Sequence, residues 1–334
     1  MKKLTYYLVI IIAIICFFMA KFNFEKVKQF ENMIDISFLE NLPNEQVLKN
    51  ILEENNDIIE IIGISNSGFV NIKETNYNRN EDTKLLKIFG NPQKVFFNND
   101  ILYKTYFEKN GVFLSNSLAY SLFKSENVLG NKIEIDKKEY IICGIFKDKE
   151  PVLIIKNNSN DKFNNIKVFF NKTQSISMNI EKFIRTNNFN NIYLNNISLK
   201  VSILLIITTI PKILLFLLFI CTIYKVLKFK EKYTLKSIIY KFIVLIIIII
   251  FFFILNISIK IPVDFIPNKW SDFEFYKNIF ILFMDNIANY IQIDKSLLYI
   301  SIDKYFYIIL INIFICTICM IIINIFNLSN KLKN

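Results

Sequence analysis

The sequence predicts a membrane protein: four transmembrane α-helices with an α+β extracytoplasmic domain between helices 1 and 2. Three observations carry this expectation. Of the 334 residues, 53% are hydrophobic and mean hydropathy is positive at +0.36, a balance that points to a membrane protein. Long apolar runs sit at residues 4–20, 201–224, 242–257 and 305–326, whereas all six glycines (Gly63, Gly68, Gly90, Gly111, Gly130 and Gly144) fall in the polar block between the first two runs. The lysines, finally, are unevenly shared among the connecting segments. The boundaries that follow are 1–21 for the first helix, 22–200 for the outer domain, and 201–334 for a three-helix membrane domain with an outer loop at 260–304.

The first helix opens with Lys2 and Lys3 and then runs apolar for about 17 residues, the lower limit for crossing a hydrocarbon core. It could be a signal peptide or an uncleaved anchor. Phe18-Met19-Ala20 places a bulky ring where cleavage needs a small residue, and Ala13-Ile14-Ile15 lacks the small residue a lipoprotein needs before Cys16, so the anchor is favoured. Residues 22–56 are polar, with Phe30, Met33, Ile34 and Ile36 as apolar members, and are expected to begin as a helix leaving the membrane. Pro43 interrupts, and 44–54 reads as a second helix. Residues 58–64 read as a strand, 76–83 as a solvated loop, and 85–89 as a short element closed by Gly90-Asn91-Pro92. Further short elements at 95–97 and 101–107 lead into the central stretch.

That stretch, 111–148, organises the domain. Phe113 and Leu114 form a short apolar run, after which Ser115-Asn116-Ser117 offers side-chain oxygens to the free amides of a new helix. Leu118, Ala119, Leu122 and Phe123 fall on one face of that helix, which ends near Lys124. Gly130-Asn131 permits a tight reversal, and Ile133 and Ile135 alternate with Lys132 and Glu134 as in a half-buried strand. Residues 136–139 turn the chain into a denser apolar strand at 140–146, where Gly144 marks a bulge or a close backbone approach. Strands are expected at 152–155 and 166–170, and a helix at 180–185.

The order L-S-x-x-L-A-x-x-L-F, V-L-G-x-x-I-x-I and Y-x-I-x-G-I-F-K-D resembles the periplasmic core domain of MacB-type ABC transporter permeases. It rests on Leu114, Ser115, Leu118, Ala119, Leu122, Phe123, Val128, Leu129, Gly130, Ile133, Ile135, Tyr140, Ile142, Gly144, Ile145 and Asp148. One span, a large outer domain and then three spans is also the layout of these permeases, whose membrane part is FtsX-like. The resemblance implies a permease-like subunit in a bacterial cell (inner) membrane that dimerises, with itself or with another permease. Such a subunit pairs with an ABC ATPase and transmits motion to the outer domain rather than passing substrate through the bilayer. ATP would act only through that partner.

Charge supports the orientation. With both termini cytoplasmic, the three inner segments hold two, six and two lysines, with Glu231 their only acid, while residues 260–304 hold five lysines against six acids. Residues 21–200 carry 24 basic against 22 acidic residues, which argues against a nucleic-acid partner and assigns most of the net +11 to topology.

Within the second run, Pro211-Lys212 leaves two readings: a helix that begins before Pro211 with Lys212 snorkelling, or a span starting near Pro211 with 201–210 as a stalk or strand. None of these runs contains glycine, so packing through small residues is not expected and Ser, Thr, Asn and side-chain shape are left to hold the helices. Trp270, with Phe273 and Tyr276, reads as an interfacial anchor.

The inner segment between the second and third spans departs from the family. It has no glycine and no recognisable coupling motif, and Lys225, Lys228, Lys230, Glu231 and Lys232 are the candidate ATPase contact. The same lysines could instead hold the topology and bind anionic membrane lipid. The departure raises an alternative, an ATPase-independent scaffold or interaction protein derived from such a permease.

Enzymatic chemistry is not legible. The chain has no histidine, which removes Ser-His and Cys-His catalysis, and no Walker-type glycine loop for ATP. Asp35, Asp57, Glu60, Asp136 and Glu139 read as solvated surface, no cofactor or metal is implied, and Cys316-Thr317-Ile318-Cys319 reads as membrane-buried despite its redox-like spacing.

Overall fold

The computed structural model describes residues 2–75, 79–96, 100–105, 110–171, 176–227, 265–267, 269, 271–292 and 297–329. Their order is α1 (Lys2–Lys28), β1 (Met33–Phe38), α2 (Glu45–Glu54), β2 (Ile58–Glu74), β3 (Asn80–Phe89), a 3-10 turn (Pro92–Val95), β4 (Ile101–Lys104), β5 (Gly111–Ser115) and α3 (Asn116–Phe123). There follow β6 (Lys132–Ile135), β7 (Lys138–Phe146), β8 (Val152–Lys156), β9 (Asn165–Phe170), α4 (Ile176–Thr186), β10 (Ile192–Asn195), α5 (Ile197–Leu227), α6 (Phe275–Gln292) and α7 (Leu297–Ser329). Contacts divide the chain into an α+β unit, Asn32–Ser198 with Phe273–Ser301, and a helical unit, Met1–Glu31, Leu199–Asp272 and Ile302–Asn334.

Among the described residues, the α+β unit has one ten-stranded sheet in the order β10-β1-β9-β2-β3-β8-β5-β7-β4, with β6 pairing both β2 and β7. That last pairing closes β2, β3, β8, β5, β7 and β6 into a ring. All six strands send apolar side chains to one cluster: Ile72, Leu85, Val112, Leu114, Ile133, Ile135, Ile142, Ile145, Leu153 and Ile155, joined by Leu118, Ala119 and Leu122 of α3. The helix therefore fills the ring with the face its spacing predicts. The alternate residues, Phe113, Cys143, Phe146, Val152 and Ile154, join a second cluster with Val95 and Phe96 on the outer side. A third cluster fills the space between the β10-β1-β9-β2 portion and the helices α2 and α4, with Ile34, Ile36, Leu48, Ile51, Ile166, Val168, Ile180 and Phe183.

Local contacts fix the stretch from Ser115 to Asp148. Ser115 Oγ accepts from Leu118 N at 3.3 Å, capping α3, and from Val152 N at 3.0 Å, tying the start of β8. Asn116 Oδ1 accepts from Asp148 N at 3.0 Å and holds the β7–β8 loop. The helix stops at Lys124, whose φ of 56° is left-handed. Gly130 has φ +80°, as the expected reversal requires. At Gly144 both sequence readings hold. Val112 pairs Ile142 and Phe113 pairs Gly144, so Cys143 is the extra residue of a bulge, and a Cβ on Gly144 would stand 2.2 Å from the Phe113 ring.

Several expectations needed correction. Residues 33–38 form a strand, not the continuation of a helix: all six positions of β1 are buried, so both faces are covered and the helical reading of Met33, Ile34 and Ile36 fails. The segment read as loop at 76–83 is already strand from Asn80, because β3 pairs the far end of the seventeen-residue β2, with Lys73 opposite Asn80. Asp35 is not solvated. Its register sets it opposite Lys167 and Asn195, and Lys167 Nζ donates to Asp35 Oδ2 at 2.6 Å with side-chain exposures of 0% and 3%. A charge so desolvated persists only because its partner is in contact. Asp136 and Glu139 are exposed, as expected; Glu139 pairs with Lys132 at 2.8 Å, and the part-exposed Asp57 and Glu60 pair with Lys182 at 2.9 Å and with Lys94. α6, which the sequence reading left inside a loop, belongs to the α+β unit and lies against β10.

Two predictions follow from this packing. Gly144→Ala forces the Phe113 ring to move and should lower the stability of the α+β unit by about 1–3 kcal/mol, read by urea unfolding of the full chain. Asp148 is half-buried, and desolvation raises its pKa above the ordinary 3.8. The folded state then holds this proton to higher pH than the unfolded state, so the contribution favours folding at low pH and is lost as pH rises through the folded pKa. Asp148→Asn keeps an oxygen for Glu150 N and should flatten that dependence while raising stability at pH 7, measured as unfolding midpoints across the acid range.

Candidate functional site: the helical unit and its polar layer

Three described helices are long and apolar enough to cross a membrane, with candidate spans at Thr5–Lys28, Ile197–Leu214 and Leu298–Ile323. They correspond to the first, second and fourth apolar runs. The third run, at 242–257, lies outside the described residues, as does Trp270. At 1.5 Å per residue α1, α5 and α7 reach about 40, 46 and 50 Å, more than the roughly 30 Å of a hydrocarbon core. Each helix therefore has residues to spare beyond a span.

The second run is helical from before its proline: α5 is continuous from Ile197 through Pro211, so 201–210 is not a strand. Only Asn196 separates it from β10.

The helices meet through small residues after all. Ala13 and Cys16 of α1 are buried against Cys316, Cys319, Met320 and Ile323 of α7, and Ala20, one further turn along α1, is also buried. Glycine is absent, but alanine and cysteine at Ala13, Cys16 and Ala20 leave one face of α1 short enough for a close approach. The polar residues expected to bridge helices turn back on their own: Thr208 donates to Leu205 O, Thr209 to Ile206 O, Asn312 to Ile308 O and Thr317 to Phe314 O. Cys316 and Cys319 are buried within this apolar contact. Among the described residues, no group of three or more acids or cysteines is placed to hold a metal.

A second, polar layer lies along the same helices. Lys200 Nζ of α5 donates to Asp303 Oδ1 of α7 at 3.1 Å, with side chains 10% and 11% exposed. The other oxygen, Asp303 Oδ2, is buried with no hydrogen-bond partner among the described residues. Two positions along α7, the Tyr305 ring lies 4.9 Å from Lys26 Nζ of α1, and Phe22 stands 4.5 Å from the same ammonium. The sequence reading did not single out these residues. The signal was present: Lys200 and Asp303 are opposite charges, each just ahead of an apolar run expected to enter the bilayer from the same side.

Of the candidate ATPase contact, Lys225 lies in the last turns of α5, whereas Lys228, Lys230, Glu231 and Lys232 lie outside the described residues.

No protein-family model matches the chain, and no curated protein does. Among solved structures the chain is similar to the periplasmic region of MacB from Actinobacillus actinomycetemcomitans, at 13% identity and a TM-score of 0.42, covering 50% of this chain and 89% of that one. It is also similar to the extracellular domain of the noncanonic ABC-type transporter YknZ from Gram-positive bacteria, at 12% identity and 0.39, covering 48% and 97%. A third likeness is to a domain ascribed to a permease protein from Porphyromonas gingivalis, at 14% and 0.36, covering 49% and 88%.

The small-residue contact gives a direct test. Ala13→Leu adds bulk where the residue is buried and should weaken the helical unit by about 1–3 kcal/mol. Thr317→Ala removes only a bond to its own helix and should change it by less than about 1 kcal/mol, both measured by detergent-titration unfolding in mixed micelles.

Proposed function

We propose that this chain is the permease-like subunit of a MacB/FtsX-type ABC transporter, carrying motion from a partner ATPase to an extracytoplasmic α+β domain. The observation that carries this reading is the join between the parts. A helix with a candidate span begins one residue after the last strand of the α+β unit, and a second such helix ends four residues before its first strand. Connections this short leave little slack to absorb a displacement of either helix. The positive-inside count supports placing the α+β unit outside and both termini in the cytoplasm, with four spans.

In this reading α5 continues inward to the segment that holds Lys225, Lys228, Lys230, Glu231 and Lys232, which meets the ATPase. The subunit dimerises, with itself or with another permease, and ATP acts only through the partner. Detergent extraction of the tagged chain from its native cells should recover an ABC ATPase in stoichiometric amount. Replacing Lys228, Lys230 and Lys232 together by Glu should abolish that recovery or uncouple ATP hydrolysis while the chain stays in the membrane. A second reading, an ATPase-independent scaffold, is favoured by the absence of glycine and of a coupling motif in this segment; recovery of the membrane-inserted chain without any ATPase would select it.

A further inference from the structure

We propose that α7 is a clasp that fixes the spacing of the two chain roots of the α+β unit, with Asp303 and Tyr305 as its positioning residues. α1 delivers the chain to β1 and α5 receives it from β10, so these two helices are the roots. Each is engaged by α7, and from nearly adjacent positions: Asp303 takes the ammonium of Lys200 on α5 at 3.1 Å, and Tyr305 takes that of Lys26 on α1 at 4.9 Å. Residues two apart on a helix project about 200° apart around its axis. Asp303 and Tyr305 therefore reach to opposite sides of α7, which stands between the roots at this level.

The chemistry of the pair fits a registry role better than a stabilising one. Burying a carboxylate and an ammonium costs desolvation that their attraction only partly returns, and Asp303 Oδ2 adds to the cost, being buried with no hydrogen-bond partner among the described residues. The apolar contact of Ala13 and Cys16 with Cys316, Cys319 and Met320 is non-directional and sets the helices' register by fit alone. The buried pair adds a point constraint, because a slip takes the Asp303 carboxylate away from the Lys200 ammonium. Lys26, held between two rings, marks the same level on α1. A clasp that holds both roots makes them move together.

This inference rests on the permease-like reading for its purpose but not for its geometry, and its test contains no ATPase or nucleotide, so either can fail alone. The full chain, with its native cysteines replaced by alanine, is placed in lipid nanodiscs and spin-labelled at Glu25→Cys on α1 and Ser202→Cys on α5. The expected result is a single narrow distance distribution. Asp303→Asn and Tyr305→Leu should each lose that single peak, whereas Asp303→Glu and Tyr305→Phe, which keep the charge and the ring, should retain it. The exchanged variant Lys200→Asp with Asp303→Lys should recover it. Should Asp303→Asn fail to accumulate, the Tyr305 pair and the exchanged variant still decide. An unchanged peak in Asp303→Asn or Tyr305→Leu, or an exchanged variant that stays broad, overturns the clasp.

Discussion

In hydrocarbon a backbone amide or carbonyl finds no water, so a segment that enters the bilayer must satisfy its own hydrogen bonds. That constraint governs how the parts of this protein can be joined. A lone span between membrane and domain meets it as a helix, and α5 begins one residue after β10. Pro211 tests the rule, because its ring removes a donor from the interior of α5. The carbonyl that loses its amide is that of Ile207, four residues earlier, and the helix continues past it. Thr208 and Thr209 donate to the carbonyls of Leu205 and Ile206 instead, at 2.7 and 2.6 Å.

Within the α+β unit one long strand does a comparable job of joining. β2 pairs β9 along its first half and β6 at its far end, on one edge, while β3 runs along the other. It belongs both to the four-stranded portion covered by α2 and α4 and to the ring plugged by α3. The bulge between Asn66 and Phe69, with Gly68 at φ +80°, lies between the β9 and β6 pairings. The two cores consequently share a wall, and a displacement of β1 or β10, the strands that follow α1 and precede α5 in the chain, has a covalent and hydrogen-bonded route to the ring.

What could be read from the sequence followed from how local each signal was. The stretch from Ser115 to Phe146 was legible because its determinants are neighbours: a cap three residues from its target amide, a two-residue reversal at Asp136 and Lys137, and a glycine where a ring needs space. β1 was not: Ile34, Ile36 and Phe38 alternate with Asp35 and Ser37 as in a strand, but the run was read with the helix before it, and Asp35 looked like solvated surface until β9 supplied Lys167 from 132 positions away. The contact of Ala13 and Cys16 with Cys316 was missed for a different reason. The sequence reading equated small residues with glycine, whereas alanine and cysteine serve among larger apolar neighbours. The Lys200–Asp303 pair needed the parallel run of two helices that no local window contains. Of the candidate ATPase contact, only Lys225 falls among the described residues.

The central claim is that the α+β unit faces the outside while α1 and α5 lead from it into the bilayer. Lys162 is an exposed position of that unit, beside the isolated bridge to Asn44. A cysteine placed at Lys162 should react with a membrane-impermeant maleimide in intact cells, stripped of any outer membrane, as fully as after lysis. Labelling only after lysis would put the unit in the cytoplasm and contradict the account.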